Sequence, residues 1–270
     1  MISSINSNQS IGVFDSGLGG LTVLKYLLKK IPHYNFIYLG DLANLPYGNK
    51  SQDRIIDYSI KCSQFLESKN VSAIIVACNT ASSLAFHDIQ KHISDIPIFN
   101  VIDPCVEMVV QSHSQKIGVL GTEKTIESNV YARLINKVNK NIRIYNKACP
   151  LFVPIVEEGL EDSSIAMKTI SHYLDTMRSK KVEKIILGCT HYPILLNSLN
   201  KFFNNNVQIL HSGPIIADKL FTVLSNQKKD PIKKNQVHYY VTDLPLRFSK
   251  YGNKFLDDTI GEVQLININK

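Results

Sequence analysis

Two stretches of this chain nearly repeat each other: Ile74-Ile75-Val76-Ala77-Cys78-Asn79-Thr80 and Ile185-Ile186-Leu187-Gly188-Cys189-Thr190-His191. Each is a run of apolar residues rich in β-branched side chains, then a small residue, a cysteine, and residues suited to begin a helix. Such an uninterrupted apolar run reads as a strand covered on both faces, which requires helices above and below its sheet. A second pair of landmarks keeps the register: Ile11-Gly12-Val13 and Ile117-Gly118-Val119 are separated by almost the same distance as the two cysteines. The chain therefore reads as two related α/β halves.

Strand and helix alternate around these landmarks. Residues 11–14 read as a strand, followed by a glycine-rich turn and a helix with Leu21, Leu24, Leu27 and Leu28 on one face, closed by Pro32. Residues 36–39 form a second strand, with the loop 41–48 after it. Ile55, Tyr58, Cys62, Phe65 and Leu66 recur at helical spacing. Strands at 71–77 and 98–102 come next. The second cycle opens at 116–119, continues through a helix marked by Ile126, Val130, Leu134 and Val138, and has strands at 142–145 and 184–187. A strand at 207–210, a helix near 217–224 and a strand at 238–242 follow. This alternation predicts an α/β fold of two similar domains with mostly parallel central sheets. Residues 1–97 and 208–270 are expected to form the first domain, the tail packing back, and residues 98–207 the second. In such sheets ligands bind beyond the C-terminal strand ends, where both cysteines fall.

Composition narrows the function classes. Of 270 residues, 44% are hydrophobic and 20% charged, the balance of an ordinary globular protein with a sizeable core. No apolar run spans a bilayer, and the polar first ten residues lack the pattern of a signal peptide, so a cytoplasmic location is expected. The net charge of +7 comes mostly from scattered lysines, and the only arginines are Arg54, Arg133, Arg143, Arg178 and Arg247. No nucleic-acid partner is expected from that pattern. The cluster Lys228, Lys229, Lys233 and Lys234 reads as a solvated loop. Five cysteines without a Cys-x-x-Cys pair argue against both a disulfide framework and a zinc knuckle.

A lone cysteine after an apolar strand is more often a small buried hydrophobe than a nucleophile. Repetition at the same point, followed once by Asn-Thr and once by Thr-His, reverses that expectation. A matched pair of thiols can take a proton from one face of a carbon and return it from the other. Backbone N–H groups at a helix start favour thiolate and are expected to lower the thiol pKa. Cys62, Cys105 and Cys149 lack this context and read as structural. Asp15-Ser16-Gly17-Leu18-Gly19-Gly20 lacks the Lys-Ser/Thr of a P-loop and fits a tight turn that lifts Asp15 and Ser16 to the sheet edge; Asp15 could equally be only a helix cap. The Pro46-Tyr47-Gly48 turn is either structural or a backbone cradle for a carboxylate. His191 can set the charge of Cys189. Glu157 reads equally as a surface cap or a partner in this chemistry.

Taken together, Asp15-Ser16-Gly17-Leu18-Gly19-Gly20, Pro46-Tyr47-Gly48, Ala77-Cys78-Asn79-Thr80-Ala81, Pro150-Leu151-Phe152-Val153-Pro154 and Leu187-Gly188-Cys189-Thr190-His191-Tyr192-Pro193 resemble the glutamate racemases of the cofactor-independent aspartate/glutamate racemase superfamily. The motifs occur in the family's order and span nearly the whole chain, and residues 242–256 are similar to the family's C-terminal end. The resemblance implies two α/β domains with the active site in the cleft between them, no cofactor and no metal, and a homodimer. It implies a two-base reaction in which one thiolate takes the α-proton of glutamate and the opposite thiol protonates the other face. On the matching positions, Cys78 and Cys189 are the catalytic pair, Asp15 assists the first, and Glu157 and His191 assist the second. Asp15, Ser16, Pro46, Tyr47, Gly48, Asn79, Thr80, Thr122, Thr190 and His191 match positions that hold substrate. The product, D-glutamate, would supply peptidoglycan synthesis. Departures from the family pattern fall at Asn44, where arginine is usual, at Asp103 and Cys105, where glutamate and glycine are usual, and at His211, where aspartate is usual. They bear on loop packing, domain closure or the dimer contact.

Three other readings stay open on the residues alone. One is an aspartate-specific relative, another a non-catalytic amino-acid-binding module of the same fold. The third is a single-base lyase or a metal site built on Cys78, Cys189 and His191.

Overall fold

Buried apolar runs satisfy their backbone groups by pairing in parallel, and here they do so in two separate sheets. The computed structural model describes residue 5, residues 9–224 and residues 235–268. Its strands are β1 (Ile11–Asp15), β2 (Phe36–Gly40), β3 (Ala73–Val76), β4 (Ile98–Asn100), β5 (Lys116–Gly121), β6 (Arg143–Ala148), β7 (Lys184–Gly188), β8 (Gln208–His211), β9 (Val237–Val241) and β10 (Val263–Leu265). One sheet runs β10-β9-β2-β1-β3-β4 and the other β6-β5-β7-β8. Every pairing in both is parallel.

The order β2-β1-β3-β4 is retraced by β6-β5-β7-β8, so the second sheet repeats the first without its two tail strands. The register repeats too. Phe14 pairs with Val76 in one sheet and Leu120 with Leu187 in the other, and each cysteine lies two residues beyond its strand's paired residue. Both sulfurs thus leave the C-terminal edge of the third strand of their unit. The tail returns to the first sheet, where β9 pairs with β2 and carries β10 at the edge.

Two strands sit in the opposite unit from the one expected. β4 pairs with β3 in the first sheet, and β8 pairs with β7 in the second. Boundaries at 97/98 and 207/208 would cut each unit's fourth strand away from its partner. The single helix expected across residues 126–138 is two, Glu123–Glu127 and Val130–Val138, broken where Asn129 adopts a left-handed backbone at φ 51°. Asparagine tolerates that conformation, and its Oδ1 there accepts from Asn146 Nδ2 at 3.1 Å. The lysine cluster 228–234 lies outside the described residues. Among the described residues no helix is long and apolar enough to cross a membrane.

One buried apolar cluster contains Val13, Leu24 and Ile75 of the first unit together with Phe152, Ile185 and Leu199 of the second. The two units are therefore packed on each other, and the facing sheet edges are held at a fixed separation.

Candidate active site

Both cysteines line one cavity between the two sheets, with Ser16, Gly17, Leu45, Pro46 and Tyr47 on one wall and Thr122, Val153 and Glu157 on the other. Cys78 is the N-cap of the short helix Asn79–Leu84, and its Sγ accepts from the Ala81 N–H at 3.5 Å. Its thiol points to Ser16 Oγ at 3.7 Å. The expected lowering of its pKa does not occur. Burial and the nearby Asp15 carboxylate outweigh the Ala81 and Ser16 contacts and push the Cys78 thiol up to about 12. The helix start supplies its N–H, but a buried anion beside another carboxylate costs more than one such contact returns.

Asp15 ends β1 and is fully buried. Burial raises its carboxyl, with His191 and the Gly20, Gly17 and Thr190 contacts opposing. Gly17 N–H donates to Oδ1 at 3.1 Å, and Thr190 Oγ1 donates to Oδ2 at 3.2 Å. Asp15 does not act as the helix cap; Gly20 takes that position for the helix Leu21–Lys30.

The Cys189 side is built differently. No helix begins at once; a 3₁₀ turn, Tyr192–Leu195, intervenes after His191. His191 Nε2 and Glu157 Oε1 lie 3.1 Å apart, and the Arg247 guanidinium stands 3.6 Å from Glu157 Oε2. Burial works against the imidazolium, but hydrogen bonds to Cys189 and Glu157 outweigh it and push the His191 pKa up to about 10. The His191 hydrogen bond holds the Glu157 carboxyl below its usual range against the opposing effect of burial, and Arg247 adds to the lowering. Positive charge thus stands directly beside the Cys189 sulfur. Glu157 is the last residue of the helix Phe152–Glu157 and is partly buried in the cleft, so it is not merely a surface cap.

The glycine-rich turn does its work at this junction. A Cβ on Gly19 would overlap Thr190 Oγ1 and the His191 ring, so the backbone of one unit seats the Cys189 loop of the other. Thr22 Oγ1, one turn further on, lies 2.8 Å from Thr190 O.

The remaining predicted residues converge on the same cavity. Pro46, Tyr47 and Gly48 line it, and the Tyr47 hydroxyl donates to Asp41 Oδ2 at 2.6 Å. Asp41 is also held by Asn44 Nδ2 and by Thr242 Oγ1, which anchors the cradle loop to the end of β9. Asn44, one of the departures, is therefore a neutral partner for this buried carboxylate. Thr80, Thr122 and Thr125 form a triangle of hydroxyls 3.0–3.2 Å apart that joins the two units. Asn79 accepts from the Tyr131 hydroxyl at 2.7 Å, while its buried Nδ2 has no protein partner. That unpaired donor fits an incoming carboxylate oxygen.

Of the other departures, Asp103 accepts from Asn100 Nδ2 at 2.7 Å, Cys105 is buried, and His211 packs edge-on to Tyr26. Cys62 and Cys149 are buried as well. Sequence reasoning missed Thr125, Tyr131 and Arg247. Arg247 carried a faint signal as one of five arginines inside the family-like segment 242–256. Among the described residues no three His, Cys, Asp or Glu side chains are placed to hold a metal ion.

The chain is similar to known proteins over most of its length. The family model described as Asp/Glu/Hydantoin racemase matches residues 22–220. A glutamate racemase of Geobacter metallireducens is 37% identical over 263 residues, covering 96% of this chain and 97% of its own. The crystal structure of the Francisella tularensis glutamate racemase with D-glutamate superposes with a TM-score of 0.92 at 37% identity, covering 98% of this chain and 99% of that one. An aspartate racemase of Picrophilus torridus reaches a TM-score of 0.60 at 19% identity and shares the fold alone.

Proposed function

The chain belongs to the Asp/Glu/Hydantoin racemase family, and from that premise we infer that its cleft interconverts L- and D-glutamate by passing the α-proton between Cys78 and Cys189. The activity is glutamate racemisation, the one named for relatives that match this chain over nearly all of its length. The observation that carries the residue assignment is the pair of thiols at equivalent strand ends facing one cavity. A base and an acid on opposite faces of a planar carbanion is the arrangement that inverts a stereocentre.

The two sulfurs start from different surroundings. Cys78, neutral in its buried setting, is the proton donor when Cys189 acts as base beside the His191 imidazolium. The opposite direction begins with the proton on Cys189 and the thiolate on Cys78, its charge balanced by the substrate ammonium near Asp15. Asn79 Nδ2 and the backbone of Pro46–Gly48 hold the carboxylates, with Ser16, Thr80, Thr122 and Thr190 completing the shell. No step calls for a cofactor or metal, since thiols fill both acid–base roles. The product serves peptidoglycan synthesis. A cytoplasmic homodimer completes the reading, and light scattering on the purified protein tests the dimer.

Turnover in deuterated water, started separately from each enantiomer, tests the reaction. The product is expected to carry solvent deuterium at Cα in both directions. Racemisation without solvent deuterium would refute two-base transfer, and faster turnover of aspartate than of glutamate would move the substrate assignment.

A further inference from the structure

The helix Pro245–Leu256 follows β9, so it belongs to the first unit, yet it reaches across the cleft to the Cys189 side at three points. Arg247 faces Glu157 Oε2 at 3.6 Å. Lys254 pairs with Glu161 at 2.6 Å. Phe255 stands edge-on to the His191 ring, with centroids 5.4 Å apart. Glu157 therefore has one oxygen on His191 Nε2 and the other on a guanidinium that the tail supplies. A carboxylate held at both oxygens keeps its plane, and with it the direction from which it holds the imidazole. Among the described residues the tail makes no such contact on the Cys78 side, where the neighbours are Ser16, Asp15 and the Ala81 N–H.

Resting on the two-thiol reading above, we propose that Arg247 is a positioning residue for the Cys189 base alone, acting through Glu157 and His191, so that the C-terminal helix governs one of the two proton transfers. The Arg247 side chain is 44% exposed, so its effect is moderate and is weakened by salt. Its influence runs along one chain of contacts, Arg247 to Glu157 to His191 to Cys189. Lys254 docks the same helix through Glu161 rather than through Glu157 or His191.

Rates alone cannot test this, because the equilibrium constant of a racemisation is unity and any loss of kcat/KM must be equal in both directions. Primary isotope effects can. Slowing the Cys189 transfer makes that step more rate-determining. The isotope effect then rises for the α-deuterated enantiomer that Cys189 deprotonates and falls for the one that Cys78 deprotonates. Arg247→Gln is expected to lower kcat/KM roughly three- to tenfold and to move the two isotope effects in opposite directions. Arg247→Lys keeps the charge and stays within about twofold of the parent, with isotope effects nearer the parent values. Lys254→Met, which loosens the helix without touching Glu157, leaves both isotope effects unchanged. The proposal is overturned if Arg247→Gln is fully active, if its two isotope effects stay fixed or move together, or if Lys254→Met reproduces the shift. A parent protein that does not racemise glutamate would instead sink the proposed function.

Discussion

The two halves of the molecule place a cysteine at the same point and then treat it differently. Strand order, register and the two-residue step to sulfur are shared between β2-β1-β3-β4 and β6-β5-β7-β8. By that register Asp15 is equivalent to Gly121, Ser16 to Thr122, Asn79 to Thr190 and Thr80 to His191. Around Cys78 the equivalent positions supply a carboxylate and hydroxyls, and the thiol is pushed up to about 12. Around Cys189 they supply an imidazole, to which Glu157 from the helix after β6 and Arg247 from the tail are added. The repeated sheets determine where the sulfurs stand. Their surroundings differ because equivalent positions carry different side chains and because the helix after β6 and the tail add Glu157 and Arg247 on one side, so one duplicated frame holds two thiols in unlike electrostatic settings.

The largest expected effect tests the part the halves share. Cys78→Ala and Cys189→Ala should each lower racemisation by at least 10²–10⁴-fold, about the range of a positioned general acid or base, measured by chiral separation from either enantiomer. Substantial activity in one variant would break the equivalence of the two sulfurs.

The next effect is confined to the Cys189 half. Glu157→Gln removes one of the two partners that raise His191 and should lower kcat roughly ten- to a hundredfold, the loss of a charged hydrogen bond. His191 is raised from 6.5 to about 10, so its contribution to stability is complete below about pH 6.5 and is lost as pH climbs through 10. Thermal unfolding of parent and variant should therefore differ most near pH 6 and converge towards pH 10. A gap that stays constant across this range would show that His191 is not held as the cation.

What was legible in the sequence follows from which forces are local. Apolar runs and helical spacing exposed β1 to β9 and the positions of Asp15, Cys78 and Cys189, because burial of a strand on both faces leaves a continuous signature. Which sheet β4 and β8 join is a pairing decision between distant segments, and no residue within 98–100 or 208–211 encodes it. β10 is three residues long, with two of them exposed, and is too short for its apolar alternation to mark a strand. The Cys78 pKa was misjudged because the helix start is visible locally while the burial and the Asp15 charge are assembled by the fold. Tyr131 and Arg247 meet site residues that lie far from them in sequence, so no local spacing marks them, whereas Thr125 sits one turn past Thr122 and is local to it.

A smaller test probes how the halves are joined. Gly19→Ala places a methyl group where Thr190 Oγ1 and the His191 ring stand, and some rearrangement of the Cys189 loop must follow. Overpacking of this kind costs about 1–3 kcal/mol, so a lowered midpoint of thermal unfolding is expected together with reduced activity. Unchanged activity would mean that the loop adjusts without moving His191, and Gly19 would then have no part in seating the second base.

The smallest effect is the counterpart of the Arg247 contact, running in the opposite direction across the cleft. Tyr131, in the helix Val130–Val138 of the second unit, donates to Asn79 Oδ1 at 2.7 Å and so fixes the amide beside Cys78. That leaves Nδ2 as the unpaired donor, free in the proposed function to hold a substrate carboxylate. Tyr131→Phe keeps the ring and removes only the hydroxyl, leaving Asn79 Oδ1 buried without its partner at a cost of about 1–3 kcal/mol. Part of that cost is relieved if the amide rotates, and a rotated amide offers an oxygen where a substrate oxygen must bind. The expected result is therefore a KM for glutamate raised several-fold with kcat little changed, the reverse of the Glu157→Gln pattern. If KM stays at the parent value, Asn79 is held by its other surroundings, and the cross-bracing of the two halves acts only on the Cys189 side.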